Sequence, residues 1–198
     1  DWITEAVSWR RHLHKHPELA FQERNTSDFI AEQLSRFGLK VHRGLAGTGV
    51  VGTLVRGTSK RSIAIRADMD ALPVTEMVDI PFRSRVRTLY NGDSVGVMHA
   101  CGHDNHVAIL MGVAEVLAGM KASLPGTVKF IFQPAEEGPP AGEQGGAALM
   151  IQQGVLDTPA PQAIFGLHVW ADSAGRVTYR PGGAMAGGDG LRIVVVGR

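Results

Sequence analysis

The sequence predicts an α/β fold, a three-layer αβα sandwich around a mixed, mostly parallel central sheet. Two observations carry that expectation. Short apolar, β-branched runs alternate with longer segments of helical period. The thiol, imidazole and carboxylate side chains cluster just past several of those runs, where ligands collect beyond the carboxyl ends of strands in an open sheet.

Taken in order, residues 2–16 carry Ile3, Val7 and Leu13 near helical spacing, and Pro17 stops the helix. Residues 25–37 place Phe29, Ile30, Leu34 and Phe37 on one face, with Gly38 as the C-terminal signal. Strands are expected over 40–43, 50–56 and 62–67, separated by glycine-containing turns. Residues 79–96 are polar and turn-rich and fit neither period. A long helix over 104–120 turns Val107, Leu110, Met111, Ala114 and Leu117 inward, with Asp104 as its N-cap. Residues 128–132 form an apolar strand halted by Pro134, and 147–153 a helix closed by Gly154. Further strands are expected over 163–167, 176–180 and 191–196. The glycine-rich stretch 182–190 reads as a hinge, giving one domain over 1–185 and, over 186–198, the hinge and first strand of another.

The chain has 198 residues, 44% hydrophobic and 20% charged, enough for one substantial core of ordinary globular composition. A net charge of +1 argues against nucleic acid or an anionic membrane as partner. Apolar runs such as 191–196 are far too short to span a bilayer. The opening Asp1-Trp2-Ile3-Thr4-Glu5 reads as a helix start rather than a charged-then-apolar leader. Cys101 is the only cysteine, so no disulfide forms within the chain, and a reducing, cytoplasmic compartment is expected.

Four segments hold the chemistry. Strand 62–67 runs into Asp68-Met69-Asp70, and His99-Ala100-Cys101-Gly102-His103-Asp104 leads into the long helix. Strand 128–132 runs into Gln133-Pro134-Ala135-Glu136-Glu137, and strand 163–167 into His168. Thiolate, imidazole and carboxylate are competent zinc ligands, and the last two also suit manganese, cobalt or nickel. Gly102 permits a tight bend that could aim Cys101 and His103 at one ion. Adjacent residues of extended backbone point to opposite sides, so one of Glu136 and Glu137 can bind metal while the other faces a water.

Plainer readings stand beside these. Cys101 is equally a small buried residue, Glu136-Glu137 a solvated loop, and His168 a satisfied core histidine. Cys101 is also a candidate nucleophile, activated by His99 or His103. His12, His14 and His16 read as structural, and His42 has no partner in sequence. His99 and His106 flank the metal-type loop as supporting or substrate-contacting groups.

At these motifs the chain resembles the aminoacylase-like amidohydrolases of the dinuclear metallopeptidase superfamily. The branch is that of hippurate hydrolases, indole-acetyl-amino-acid hydrolases and N-acetyldiaminopimelate deacetylases. The carrying residues are Arg10 to His14 with Pro17-Glu18-Leu19, Arg66 to Pro73, Met98 to His106, Phe132 to Gly138, and Gly166-Leu167-His168. The resemblance implies a zinc-peptidase-like fold with Cys101, His103, Glu137 and His168 as metal ligands. It implies Glu136 as general base, and Asp70, in Asp68-Met69-Asp70, as an orienting residue. Two divalent ions are implied, zinc or manganese first and nickel or cobalt as alternatives. The implied reaction is amide hydrolysis of small N-acylated amino acids, such as hippurate-like, N-acetyl or auxin conjugates. A fifth ligand histidine and a lid domain that mediates homodimerisation are implied in a considerably longer chain, so these residues are expected to be the catalytic portion. The competing expectations are a cysteine-nucleophile hydrolase at Cys101 and a non-catalytic binding or assembly fragment.

Overall fold

A computed structural model of the chain describes residues 1–120, 124–140, 142–183, 185 and 193–197. Asp1 opens α1 (Trp2–Lys15) by accepting the Ile3 N–H at 3.1 Å. The buried stripe of α1 is Trp9, Leu13 and His14. Ile3 and Val7, expected to face inward, are 55% and 43% exposed. Trp9 and Leu13, in the C-terminal half of α1, join the core residues of the second and third helices, and Ile3 and Val7 lie ahead of that contact. Helix α2 (Arg24–Arg36) buries Ile30 and Leu34 as its spacing predicts, and Phe29 and Phe37 pack at the margin.

Five strands form one sheet: β1 (Lys40–Leu45), β2 (Gly49–Arg56), β3 (Ser62–Asp68), β6 (Gly126–Gln133) and β7 (Ile164–Gly166), in the order β1-β2-β6-β3-β7. β6, β3 and β7 are mutually parallel, and β2 runs against both β1 and β6. The sheet is therefore mixed, with every strand except β2 pointing one way. Strand alternation sends Val50, Leu54, Phe130 and Phe132 into the core shared with the first three helices. It sends Val51, Ala64 and Ile131 to the opposite face, against Met150 of α4 (Gly146–Gln152). The result is the expected layering of helix, sheet and helix.

Helix α3 (His103–Gly119) buries Val107, Leu110, Met111 and Ala114. Its N-cap is Gly102 rather than Asp104. The Asp104 carboxylate is taken up instead by Arg10 and His14 of α1, each at 2.8 Å. Within residues 79–96, the hairpin of β4 (Arg87–Tyr90) and β5 (Asp93–Gly96) turns at Asn91 and Gly92, both with positive φ. Asn-Gly is the two-residue turn that strand twist favours, so this signal was present in the sequence.

Residues 176–180, expected as a strand, are exposed and join no sheet among the described residues. Their alternation is real, but an extended segment becomes a strand only where a neighbour supplies the ladder. Of the expected hinge and second-domain strand, residues 184, 186–192 and 198 lie outside the described residues. Residues 193–197 are exposed and belong to no strand. Among the described residues no helix is long and apolar enough to cross a membrane.

The parallel register aligns Asp68 with Gln133 and Arg66 with Gly166. The carboxyl ends of β3, β6 and β7 thus open on one edge of the sheet, and α3 begins beside it.

Candidate metal centre

Gly102 makes the bend that starts the site. Its φ is +85°, and a Cβ there would lie 2.4 Å from Val169 Cγ2. Only glycine satisfies both the left-handed backbone and that close approach. The bend sets Cys101 and His103 on either side of the α3 N-terminus. The Cys101 Sγ lies 3.4 Å from His168 Nε2.

His103 is completely buried. Its Nδ1 donates to the Asp70 carbonyl oxygen at 2.8 Å, with the Asp70 carboxylate at 3.3 Å. That bond fixes the tautomer and leaves Nε2 free as an acceptor. His103 Nε2 is buried without a hydrogen-bond partner and faces Glu137 Oε1 at 3.6 Å and Glu136 Oε2 at 3.8 Å. Glu137 Oε1 is likewise buried and unpartnered. The Glu137 backbone N–H donates to Asp70 Oδ2 at 2.9 Å, so Asp70 holds the His103 ring and the Glu137 backbone together. In His168, Nδ1 donates to the Val169 carbonyl at 2.6 Å, which leaves Nε2 toward Cys101.

The structure therefore brings Cys101, His103, Glu136, Glu137 and His168 into one cluster hinged on His103. Donor atoms of Cys101, His103 and His168 lie within 4.8 Å of one another, as do those of His103, Glu136 and Glu137. Asp68, His103 and His106 make a third such group. Both nitrogens of His106 are engaged, however. Nε2 accepts the Val169 N–H at 2.9 Å, so Nδ1 carries the proton and donates to Asp68. The second oxygen of Asp68 pairs with Arg66 at 2.8 Å. Asp68 and His106 thus brace the segment that carries His168.

Buried polar atoms without partners are costly in a folded interior. Here two of them, an imidazole nitrogen and a carboxylate oxygen, face each other with a thiol and a second imidazole close by. Adjacent carboxylates repel unless a cation intervenes. Donor types, tautomers and orphaned atoms all fit divalent metal.

The electrostatics agree. Burial, then Asp68 and Glu137, raise the Glu136 carboxyl above its ordinary value. Burial alone would raise Asp68, but the His106 hydrogen bond and the charges of His103 and Arg66 hold it well below the carboxylate range. Burial and the carboxylates of Glu137, Glu136 and Asp68 push the Cys101 thiol up to about 12. That is the opposite of the electropositive setting that activates a nucleophilic cysteine. It disfavours the cysteine-nucleophile expectation.

Other histidines find places the sequence did not foresee. His14 lies between Asp104 at 2.8 Å and Glu76 at 3.0 Å. Those partners come from 90 and 62 residues away, so no local spacing signals them. His99 is buried with neither ring nitrogen bonded, and burial lowers it to about 4, which keeps it neutral. His42 is exposed. Asp68 had one sequence signal, its place beside Asp70; Glu23, which holds Ala135, had none.

The profile of Peptidase family M20/M25/M40 matches residues 64–186. The chain is 42% identical over 200 residues to thermostable carboxypeptidase 1 of Saccharolobus solfataricus, covering 100% of this chain and 47% of that protein. It is 40% identical over 197 residues to an N-acyl-L-amino acid amidohydrolase of Geobacillus stearothermophilus, covering 98% and 49%. The crystal structure of the Bacillus subtilis YXEP protein, described as a dinuclear metal binding peptidase, superposes with a TM-score of 0.75 and 41% identity over 86% of this chain and 44% of that one. The chain spans about half the length of the curated relatives it matches.

Proposed function

Because the chain belongs to peptidase family M20/M25/M40, we propose that it is the metal-holding portion of a hydrolase that cleaves the amide bond of N-acyl amino acids. The observation that carries this is the cluster in which His103 Nε2 and Glu137 Oε1 face each other, buried and unpartnered, next to Cys101 and His168. A carboxypeptidase and an N-acyl-amino-acid amidohydrolase share one bond type, an amide whose nitrogen belongs to an amino acid with a free carboxylate. Both names among the relatives support that common substrate class.

Cys101, His103, Glu137 and His168 would hold two divalent cations, with zinc or manganese best suited to the donor set and nickel or cobalt as alternatives. When bound there, the cations would acidify water and polarise the amide carbonyl. Glu136 stands 3.8 Å from His103 Nε2 and is half exposed, so it can reach the attacking water and the scissile nitrogen. Its carboxylate takes a proton from water as the oxygen attacks the carbonyl carbon, then delivers that proton to the departing amine. Asp70 orients His103 through Nδ1 and steadies Glu137 through its N–H. Asp68 and His106 hold Val169 and, with it, His168.

The test uses the full-length protein loaded with metal and a panel of N-acetyl and N-benzoyl amino acids. The unaltered protein releases the free amino acid, and Glu136→Ala keeps its metal while kcat falls about 10²- to 10⁴-fold. Absence of turnover on every N-acyl amino acid, or turnover undiminished in Glu136→Ala, would overturn the reading.

A further inference from the structure

A cavity of about 760 Å³ lies between the end of α1 and the segment that leads into β4, and no residue of the metal-type cluster lines it. Lys15 and His16 line it from the helix, and Asp79, Arg83 and Arg85 from the segment. At neutral pH three fixed positive charges, Lys15, Arg83 and Arg85, face one negative charge, Asp79, which leaves two unbalanced. The whole chain carries only +1, so this is a local concentration of charge. The Asp79 side chain is 97% exposed and pairs with Arg83 at 3.4 Å, a contact that solvent screens. Among the described residues neither Lys15 nor Arg85 forms an ion pair.

Packing holds the basic walls in place. Ser84 is buried and its N–H donates to Glu76 Oε2, while Val86 packs on Leu19, Ala71 and Val97. With those two residues anchored inward, Arg83 and Arg85 turn to the cavity. Glu76 is held in turn by His14 at 3.0 Å, one residue ahead of Lys15, so one buried pair ties both walls together. The dipole of α1 favours cations at its C-terminal end, but it gives no reason for two arginines of another segment to face the same space. Like charges held close by packing repel, and a bound anion removes that repulsion.

We propose that this cavity binds a small dianion, a phosphate monoester or a dicarboxylate, at a site separate from the metal centre. The proposal stands apart from the amide-hydrolase reading. A guanidinium fork matches phosphate and carboxylate oxygens alike, and two negative charges balance the two left over on the walls. The volume suits a small organic molecule.

The experiment titrates the metal-loaded full-length protein with phenyl phosphate, glutarate and acetate by calorimetry, at about pH 7.5 and constant ionic strength. Either dianion is expected to saturate one site per chain that acetate does not fill. Saturation by phenyl phosphate alone identifies a phosphate ligand, and by glutarate alone a dicarboxylate. In Lys15→Ala/Arg85→Ala, which removes two exposed side chains, affinity at that site should fall about tenfold or more. Arg87→Ala serves as the control, since Arg87 bonds to Ser94 and does not line the cavity, and it should bind like the unaltered protein. Three results would overturn the proposal: no saturable dianion site, binding that survives the double substitution and so belongs to the metal centre, or an equal loss in Arg87→Ala, which marks diffuse charge attraction.

Discussion

The Glu23 carboxylate accepts the backbone N–H of Ala135 at 3.0 Å, across 112 residues of sequence. Glu23 is fully buried, and its second oxygen accepts the Thr48 hydroxyl at 2.6 Å. Ala135 has a φ of +48°, a left-handed conformation that costs a non-glycine residue about 1 kcal/mol. From the other side Asp70 holds the Glu137 N–H. The turn that presents Glu136 and Glu137 is thus clamped between two buried carboxylates.

Glu23 is accordingly predicted to position Glu136. Glu23→Ala should lower kcat about 10- to 100-fold while KM and metal content change little. Glu23→Gln keeps an acceptor for the Ala135 N–H and should restore most of the activity. Steady-state kinetics with metal analysis on both variants checks this; equal losses in the two would exclude the positioning role.

His14 gives a pH signature in stability. Its hydrogen bond to Asp104 outweighs the effect of burial, and Glu76 adds to it, so its folded pKa lies above the ordinary value. A group of this sign stabilises fully below its unfolded pKa, and the contribution disappears as pH rises through the folded value. His14→Ala should cost about 3 kcal/mol at acid pH, because it leaves Glu76 buried without its cationic partner. Urea unfolding of both proteins from about pH 5 to about pH 9 should show the gap narrowing as the pH rises.

Gly102→Ala tests the bend between Cys101 and His103. The new Cβ would sit 2.4 Å from Val169 Cγ2 in a backbone with φ of +85°. Either the bend or Val169, beside His168, must move. Metal affinity is expected to fall about 10- to 100-fold with a smaller loss of thermal stability. Metal titration by calorimetry on the full-length protein measures the first, and a thermal melt the second.

Chelation separates metal from thiol chemistry. Removal of divalent ions should abolish hydrolysis, and re-addition of zinc or manganese should restore it. Cys101→Ser should recover poorly, because a hydroxyl is a much weaker metal donor than a thiolate. Activity that survives chelation but not alkylation of Cys101 would return the cysteine nucleophile to consideration.

The layered fold, most element positions and the segments that carry the chemistry are legible in the residue pattern. These follow from local rules: period 3.6 or 2 in apolar residues, glycine and proline at boundaries, and strands ending in polar residues. Gly102 shows how far local reading reaches, since the need for a bend between Cys101 and His103 is visible in the spacing. Which partners the buried side chains take is set by the packing of the folded chain. Asp104 left its expected capping role for His14 and Arg10, Glu23 found Ala135, and His106 found Asp68. Residues 176–180 kept a strand-like pattern without becoming a strand. In each case the deciding interaction is a hydrogen bond, ion pair or ladder with a group far along the chain. Such pairings are set by how the layers pack, and sequence separation carries no record of them.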